Sequence, residues 1–144
     1  MTHARQICIL IVLVVAVAVV TSGCSSKSTN TKISGELRGE LASAGSNSPS
    51  PGEKYVQVYA TVSNLQAKNR MGMGPDNFKL KDAKGNVYET NWFATQSIGG
   101  GMKTVDFIQP RESVSGIIIF SIPQNAAPIS LEYSDLWGNA SFTF

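Results

Sequence analysis

The chain has 144 residues, a formal net charge of +2, and 15% charged against 42% hydrophobic residues. That length holds one domain and a short leader, and so small a charge excludes a dedicated nucleic-acid binder. Two cysteines and a single histidine, His3, exclude a disulfide scaffold and a four-thiolate metal centre.

Residues 1–23 read as an export signal. His3 and Arg5 precede an unbroken apolar run, Ile7 to Val20, of fourteen residues. A membrane-crossing helix needs roughly twenty. The small residues Thr21-Ser22-Gly23 follow, and then Cys24, as at a signal cleavage point. Gly23-Cys24 resembles the lipobox of prokaryotic lipoproteins, with Thr21 where that pattern usually has leucine. The resemblance implies cleavage before Cys24 and a lipid on its sulfur, on the extracytoplasmic face of a prokaryotic membrane. The alternative is an uncleaved signal anchor. A mature chain from Cys24 would keep no histidine and no free thiol, so its stability would rest on the hydrophobic core.

Residues 24–32 are serine-rich and read as a flexible tether, with the domain spanning 33–144. Ile33 to Leu41 fits a helix face through Ile33, Leu37 and Leu41. It also fits an alternating strand, which its two interior glycines favour. Ser46 to Gly52 is a loop. Tyr55 to Val62 alternates with period two, Val56, Val58, Ala60 and Val62 sharing a face. Phe78 to Leu80 alternates into the turn Asp82–Asn86, where Gly85 can take positive φ, and Val87-Tyr88 starts the return strand. Val114 to Ile122 is almost continuously apolar, as expected of a central strand buried on both sides. Ile129–Tyr133 and Ala140–Phe144 complete the strands, with no helical stripe after Lys54. Many short strands joined by turn chemistry give the expected fold class: all-β, an immunoglobulin-like antiparallel β-sandwich.

Three motifs carry a family resemblance over roughly Lys54 to Phe144. They are Tyr55-Val56-x-Val58-x-x-x-Val62-x-Asn64, Phe78-x-Leu80-x-Asp82-x-x-Gly85-x-x-Tyr88, and Pro110-x-Glu112-x-x-x-Gly116-x-Ile118-x-Phe120-x-Ile122-Pro123 followed by Leu131-Glu132-Tyr133. They resemble the telokin-like, immunoglobulin-fold domains of bacterial and archaeal cell-envelope lipoproteins, a domain of unknown function. That family usually has glycine where this chain has Arg111. The resemblance implies the fold and no particular activity.

Catalysis is not expected. Without histidine or free thiol the mature domain lacks Ser-His and Cys-His nucleophiles. Gly99-Gly100-Gly101-Met102-Lys103-Thr104 ends like a phosphate loop but has no strand-loop-helix frame, and Gly72-Met73-Gly74 lacks a third glycine. Asp82-x-Lys84-x-Asn86 has calcium-loop spacing with a cation in a ligand position, so it reads as a turn. Asp76, Asp106, Glu112 and Asp135 offer no pattern beyond what any set of carboxylates would. No cofactor and no metal are expected.

Two long connections remain, Leu65–Asn77 and Thr90–Thr104. Connections of this length are uncommon unless functional or mobile. Met71, Met73, Trp92, Phe93 and Met102 form a candidate contact patch on them. The plainer alternative has the aromatics capping the core and the methionines filling gaps. Trp137 is expected to pack at the sandwich end, and Asn139-Ala140-Ser141 fits a glycosylation acceptor. Lys79, Lys81 and Lys84 form a small basic cluster that could meet an anionic polymer or lipid. The expected function is therefore a non-catalytic envelope lipoprotein presenting an interaction module to a protein or envelope polymer, with the membrane held through its N-terminus. The alternative is an extracytoplasmic small-molecule or peptide-binding protein.

Overall fold

The computed structural model describes residues 30–136 and 138–144, with Val105 and Asp106 as backbone only. The export signal, Cys24 and Trp137 lie outside the described residues. Nine strands follow in order: β1 (Thr31–Leu41), β2 (Glu53–Asn64), β3 (Met71–Met73), β4 (Phe78–Asp82), β5 (Val87–Glu89), β6 (Val105–Ile108), β7 (Ser113–Pro123), β8 (Pro128–Asp135) and β9 (Gly138–Thr143). A 3₁₀ turn at Pro75–Asn77 precedes β4, and one short helix, α1 (Trp92–Gln96), follows β5.

Every pairing between these strands is antiparallel. One sheet has the order β1-β2-β7, the facing sheet β5-β4-β8-β9, and β3 pairs with β6 alone. These are the positions of strands A-B-E and C′-C-F-G of an immunoglobulin sandwich. The alternating sequence explains the core directly. Val56, Val58, Ala60 and Val62 of β2 and Ile118, Phe120 and Ile122 of β7 turn inward against Phe78, Leu80, Leu131 and Tyr133. Each such aliphatic side chain, fully buried, contributes roughly 1.5–3 kcal/mol.

Strand β1 begins at Thr31, whose side chain is already buried, so the expected tether gives way to the domain two residues before Ile33. The strand is not one continuous alternation. Its register on β2 shifts between Leu37 and Gly39, where Gly39 takes φ +108°. One extra residue in a strand reverses the faces beyond it. Ile33, opposite Val62, points into the main core, whereas Leu41, opposite Tyr55, packs on the outer side of the sheet. The expectation that Ile33 and Leu41 share a face is thus corrected by a bulge at Arg38.

Strand β7 is buried on both sides, but it is a sheet edge and not a central strand. Its regular partner is β2 alone. The outer face carries a second, smaller core: Ile119 and Tyr55 with Ala44 and Ala94, flanked by Leu41, Ile98 and Ile117. Residues 90–102 lie along the free edge and satisfy it. Ile119 N–H donates to Thr95 Oγ1 (2.9 Å), and its carbonyl accepts from Asn91 N (2.8 Å). Ile117 does the same with Gly100 O (2.9 Å) and Met102 N (2.8 Å). An exposed edge would be a template for unwanted pairing, and this segment removes it.

Candidate functional site

The helix α1 is held so that one side is fixed and the other is presented. Asn91 caps its start, the side-chain oxygen accepting from Ala94 N at 3.0 Å. Ala94 and Thr95 have no exposed surface, and Gln96 Nε2 donates to the Met102 carbonyl at 2.9 Å. At the far end Ser97 Oγ accepts from Asn47 Nδ2 at 2.9 Å. With Ala94 and Thr95 turned inward, Trp92 and Phe93 face out, 42% and 72% exposed, their rings edge-to-face with centroids 5.3 Å apart. An outward aromatic pair on a backbone this well fastened leaves little loop entropy to be lost on covering it.

The candidate patch is therefore divided. Trp92 and Phe93 stand together on the surface, but Met71, Met73 and Met102 are at most 3% exposed and belong to the main core. The reason is local pairing. Met71 and Met73 alternate on β3, against Ile108 and Val105 of β6, and Thr31 Oγ1 donates to Met71 Sδ at 3.4 Å. Met102 is drawn in by its backbone bond to Ile117 and sits against Gly116, where a Cβ would come within 2.7 Å of Met102 Cα. The glycine run is equally structural: a Cβ on Gly101 would lie 1.9 Å from the Thr95 carbonyl oxygen. Sequence reading missed Asn91 and Thr95, the residues that position the pair. The only signal was an asparagine placed as an N-cap ahead of a five-residue helix.

The outer face of the β5-β4-β8-β9 sheet is different in kind. A groove of about 450 Å³ is lined there by the polar Asn77, Lys79, Glu132, Ser134, Asn139 and Ser141 together with Tyr133 and Ala140. Asn139 is exposed there on β9, opposite Ser134. The expected basic cluster is mostly neutralised: Lys79 Nζ lies 2.9 Å from Glu89 and Lys81 Nζ 3.7 Å from Glu132.

The perturbed titratable groups all serve the fold. Asp82 accepts from Asn86 Nδ2 and Tyr88 Oη (2.8 Å each) and from the backbone N–H groups of Lys84 and Asn86 (2.9 Å each). The Asn86 side-chain bond does most to hold its carboxyl down at about 2, with burial opposing and the Tyr88 and backbone bonds adding to the shift. The calcium-like spacing is thus a self-satisfied hairpin turn closed by Gly85 at φ +87°. Tyr88 is raised by its bond to Asp82, and Tyr133 more strongly by burial and then by its bond to Asp135. Both phenols stay neutral. No group of three or more histidine, cysteine or carboxylate side chains converges among the described residues.

Asn64, the end of the first motif, is a structural hub. Its Nδ2 donates to the carbonyls of Asn69 and Ile108, and its Oδ1 accepts from Gln66 N. Pro110 and Arg111 occupy the middle of a turn closed by Glu112 N to Gln109 O at 3.1 Å. Arg111 has φ +65°, the one positive value outside glycine among the described residues. This is the left-handed position of a type II turn, where glycine is favoured. The motifs that carry the resemblance thus build turns and core.

The sequence pattern of DUF4352, "Domain of unknown function (DUF4352)", matches residues 21–141. The chain belongs to this family. No curated protein matches it. Two solved structures share its fold. One is a "putative lipoprotein (ycdA)" of Bacillus subtilis, with TM-score 0.60 and 15% identity over 83% of this chain. The match spans only 38% of ycdA. The other is MPT63, a secreted protein of Mycobacterium tuberculosis, with TM-score 0.54 and 19% identity, covering 82% of this chain and 88% of MPT63. At these identities the likeness is one of fold. Family membership passes on the sandwich and no particular activity.

Proposed function

We propose that this protein is exported, anchored by lipid at Cys24, and displays a non-catalytic sandwich that grips a protein or envelope-polymer partner through Trp92 and Phe93. The observation that carries the contact is the exposed aromatic pair on a helix whose opposite side is locked to β7. Tryptophan and its aromatic neighbours supply a disproportionate share of binding energy where they seat in a partner's pocket. The leader and Gly23-Cys24 support export and anchoring, and so does the kinship with a secreted protein and with one described as a lipoprotein. The telokin-like variety of the immunoglobulin fold belongs to this reading, supported by the A-B-E and C′-C-F-G strand placement.

The test is a photo-reactive residue at position 93, compared with one at Val87, in cells of the native host. A discrete cross-linked species at position 93, absent at 87 and lost with Trp92→Ala, is expected. Equal, diffuse labelling at both positions would remove the contact from the account.

A further inference from the structure

The end of the sandwich where the chain enters carries a surface that neither the fold nor the aromatic pair explains. Ser63 lies opposite Ser113, and β8 runs back toward them, so the ends of β2 and β8 and the starts of β1, β7 and β9 share one end. Asn30 marks the chain's arrival there, its carbonyl accepting from Leu65 N at 2.8 Å. Three apolar side chains are exposed at this end, two from connections and one from β6: Leu65 (46% exposed), Leu136 (97%) and Phe107 (52%). Leu136 forms the tip of the β8–β9 hairpin.

Among the described residues, three cations at this end lack the glutamate neighbours found on the sheets, as Lys84 and Lys103 do elsewhere. On the sheets, Arg38, Lys54, Lys79 and Lys81 each have a glutamate within ion-pair distance. Lys68, Arg70 and Arg111 are exposed and have no carboxylate partner among the described residues, although Glu112 is nearby in sequence. Arg70 instead lays its guanidinium over the Phe107 ring, 4.3 Å from the centroid. Exposed apolar side chains sharing an end with cations that have no carboxylate partner among the described residues match the chemistry of an anionic lipid interface, where apolar groups enter the acyl boundary and basic groups stay among phosphates.

The length of chain before Asn30 says which surface is within reach. Asn30 lies six residues after Cys24, at most about 20 Å when extended. An uncleaved anchor ending at Val20 would allow about 35 Å. A tether this short holds the end at a local concentration on the order of millimolar, so weak individual contacts suffice. We infer that Leu65, Phe107 and Leu136, with Lys68, Arg70 and Arg111, form a membrane-docking end that seats on anionic phospholipid headgroups. The sandwich then stands upright, and the Trp92–Phe93 pair is held off the bilayer. The inference rests on the membrane anchoring proposed above, but not on whether the anchor is lipid or peptide.

The test uses the full chain recovered from host membranes and reconstituted into vesicles of phosphatidylglycerol and phosphatidylethanolamine. An environment-sensitive dye is attached through Leu136→Cys or, at the opposite end, Val87→Cys, with the unsubstituted protein correcting for native thiols. Quenching by lipids spin-labelled near the headgroup is expected at position 136 and not at 87. It should be lost with Lys68→Glu and Arg70→Glu together, or in phosphatidylcholine vesicles. The same quenching at both positions, or none at 136 in protein that remains vesicle-bound, overturns the inference. Intact mass of the same sample reports separately on Cys24: lipid mass without quenching leaves the anchoring reading standing, and quenching of an unmodified chain does the reverse.

Discussion

The two long connections, 65–77 and 90–104, look alike in sequence and do opposite things. The first turns inward: β3 seats Met71 and Met73 in the main core, and its backbone pairs with β6. The second lies along the outside of β7, satisfies its free edge, and leaves Trp92 and Phe93 in solvent. The difference shows that side-chain type does not decide burial in a connection. The backbone partner decides it, and methionine goes in where a strand receives it while tryptophan stays out where a helix presents it.

Substitutions can break this contrast, beginning with the tightest contact. Gly101→Ala would place Cβ 1.9 Å from the Thr95 carbonyl, whereas Gly99→Ala meets nothing within 4 Å. Chemical denaturation should show a loss of about 3 kcal/mol or more for the first and little change for the second. Met71→Ala and Met102→Ala should each cost about 2–5 kcal/mol by opening a core cavity. Phe93→Ala, on the presented side, should stay within about 0.5 kcal/mol.

Thr95→Val sharpens the edge argument. It keeps the shape of the side chain but leaves the buried Ile119 N–H without its acceptor. A loss of about 1–3 kcal/mol is expected, with hydrogen exchange at Ile119 accelerated. The Arg111 turn provides a smaller effect of opposite sign. Arg111→Gly should gain about 1 kcal/mol by relieving a left-handed backbone, while leaving the core unchanged.

The Asp82 turn gives a pH signature. Its carboxyl moves from the ordinary 3.8 to about 2 in the folded chain. The native state thus binds fewer protons than the unfolded one between those values. The stabilisation is fully present above about pH 4 and is lost as pH falls through about 2. The stability difference between the natural protein and Asp82→Asn should shrink across that interval, as acid-dependent denaturation curves would show.

Much of the fold was legible because period-two alternation survives in β2, β4 and β8, and the β-branched run of β7 is unmistakable. The edge position of β7 was not legible, since burial on both sides by a helix and a loop reads the same as burial between strands. The bulge at Arg38 was hidden because one added residue changes the faces without changing composition. Strands of three and four residues, β3 and β6, carry too little pattern to register, and so the three methionines were grouped with the aromatics. Of the site, Trp92 and Phe93 were visible as residue types, but the device that presents them, Asn91 and Thr95 bonded to Ile119, exists only in three dimensions.

The anchored, outward-facing placement is the claim on which the proposed role depends, and intact mass tests it most directly. Protein extracted from native-host membranes is weighed beside a Cys24→Ala form. The account predicts a chain starting at Cys24 with added lipid mass, and neither cleavage nor lipid in the variant. A full-length chain of unmodified mass in both samples would contradict it.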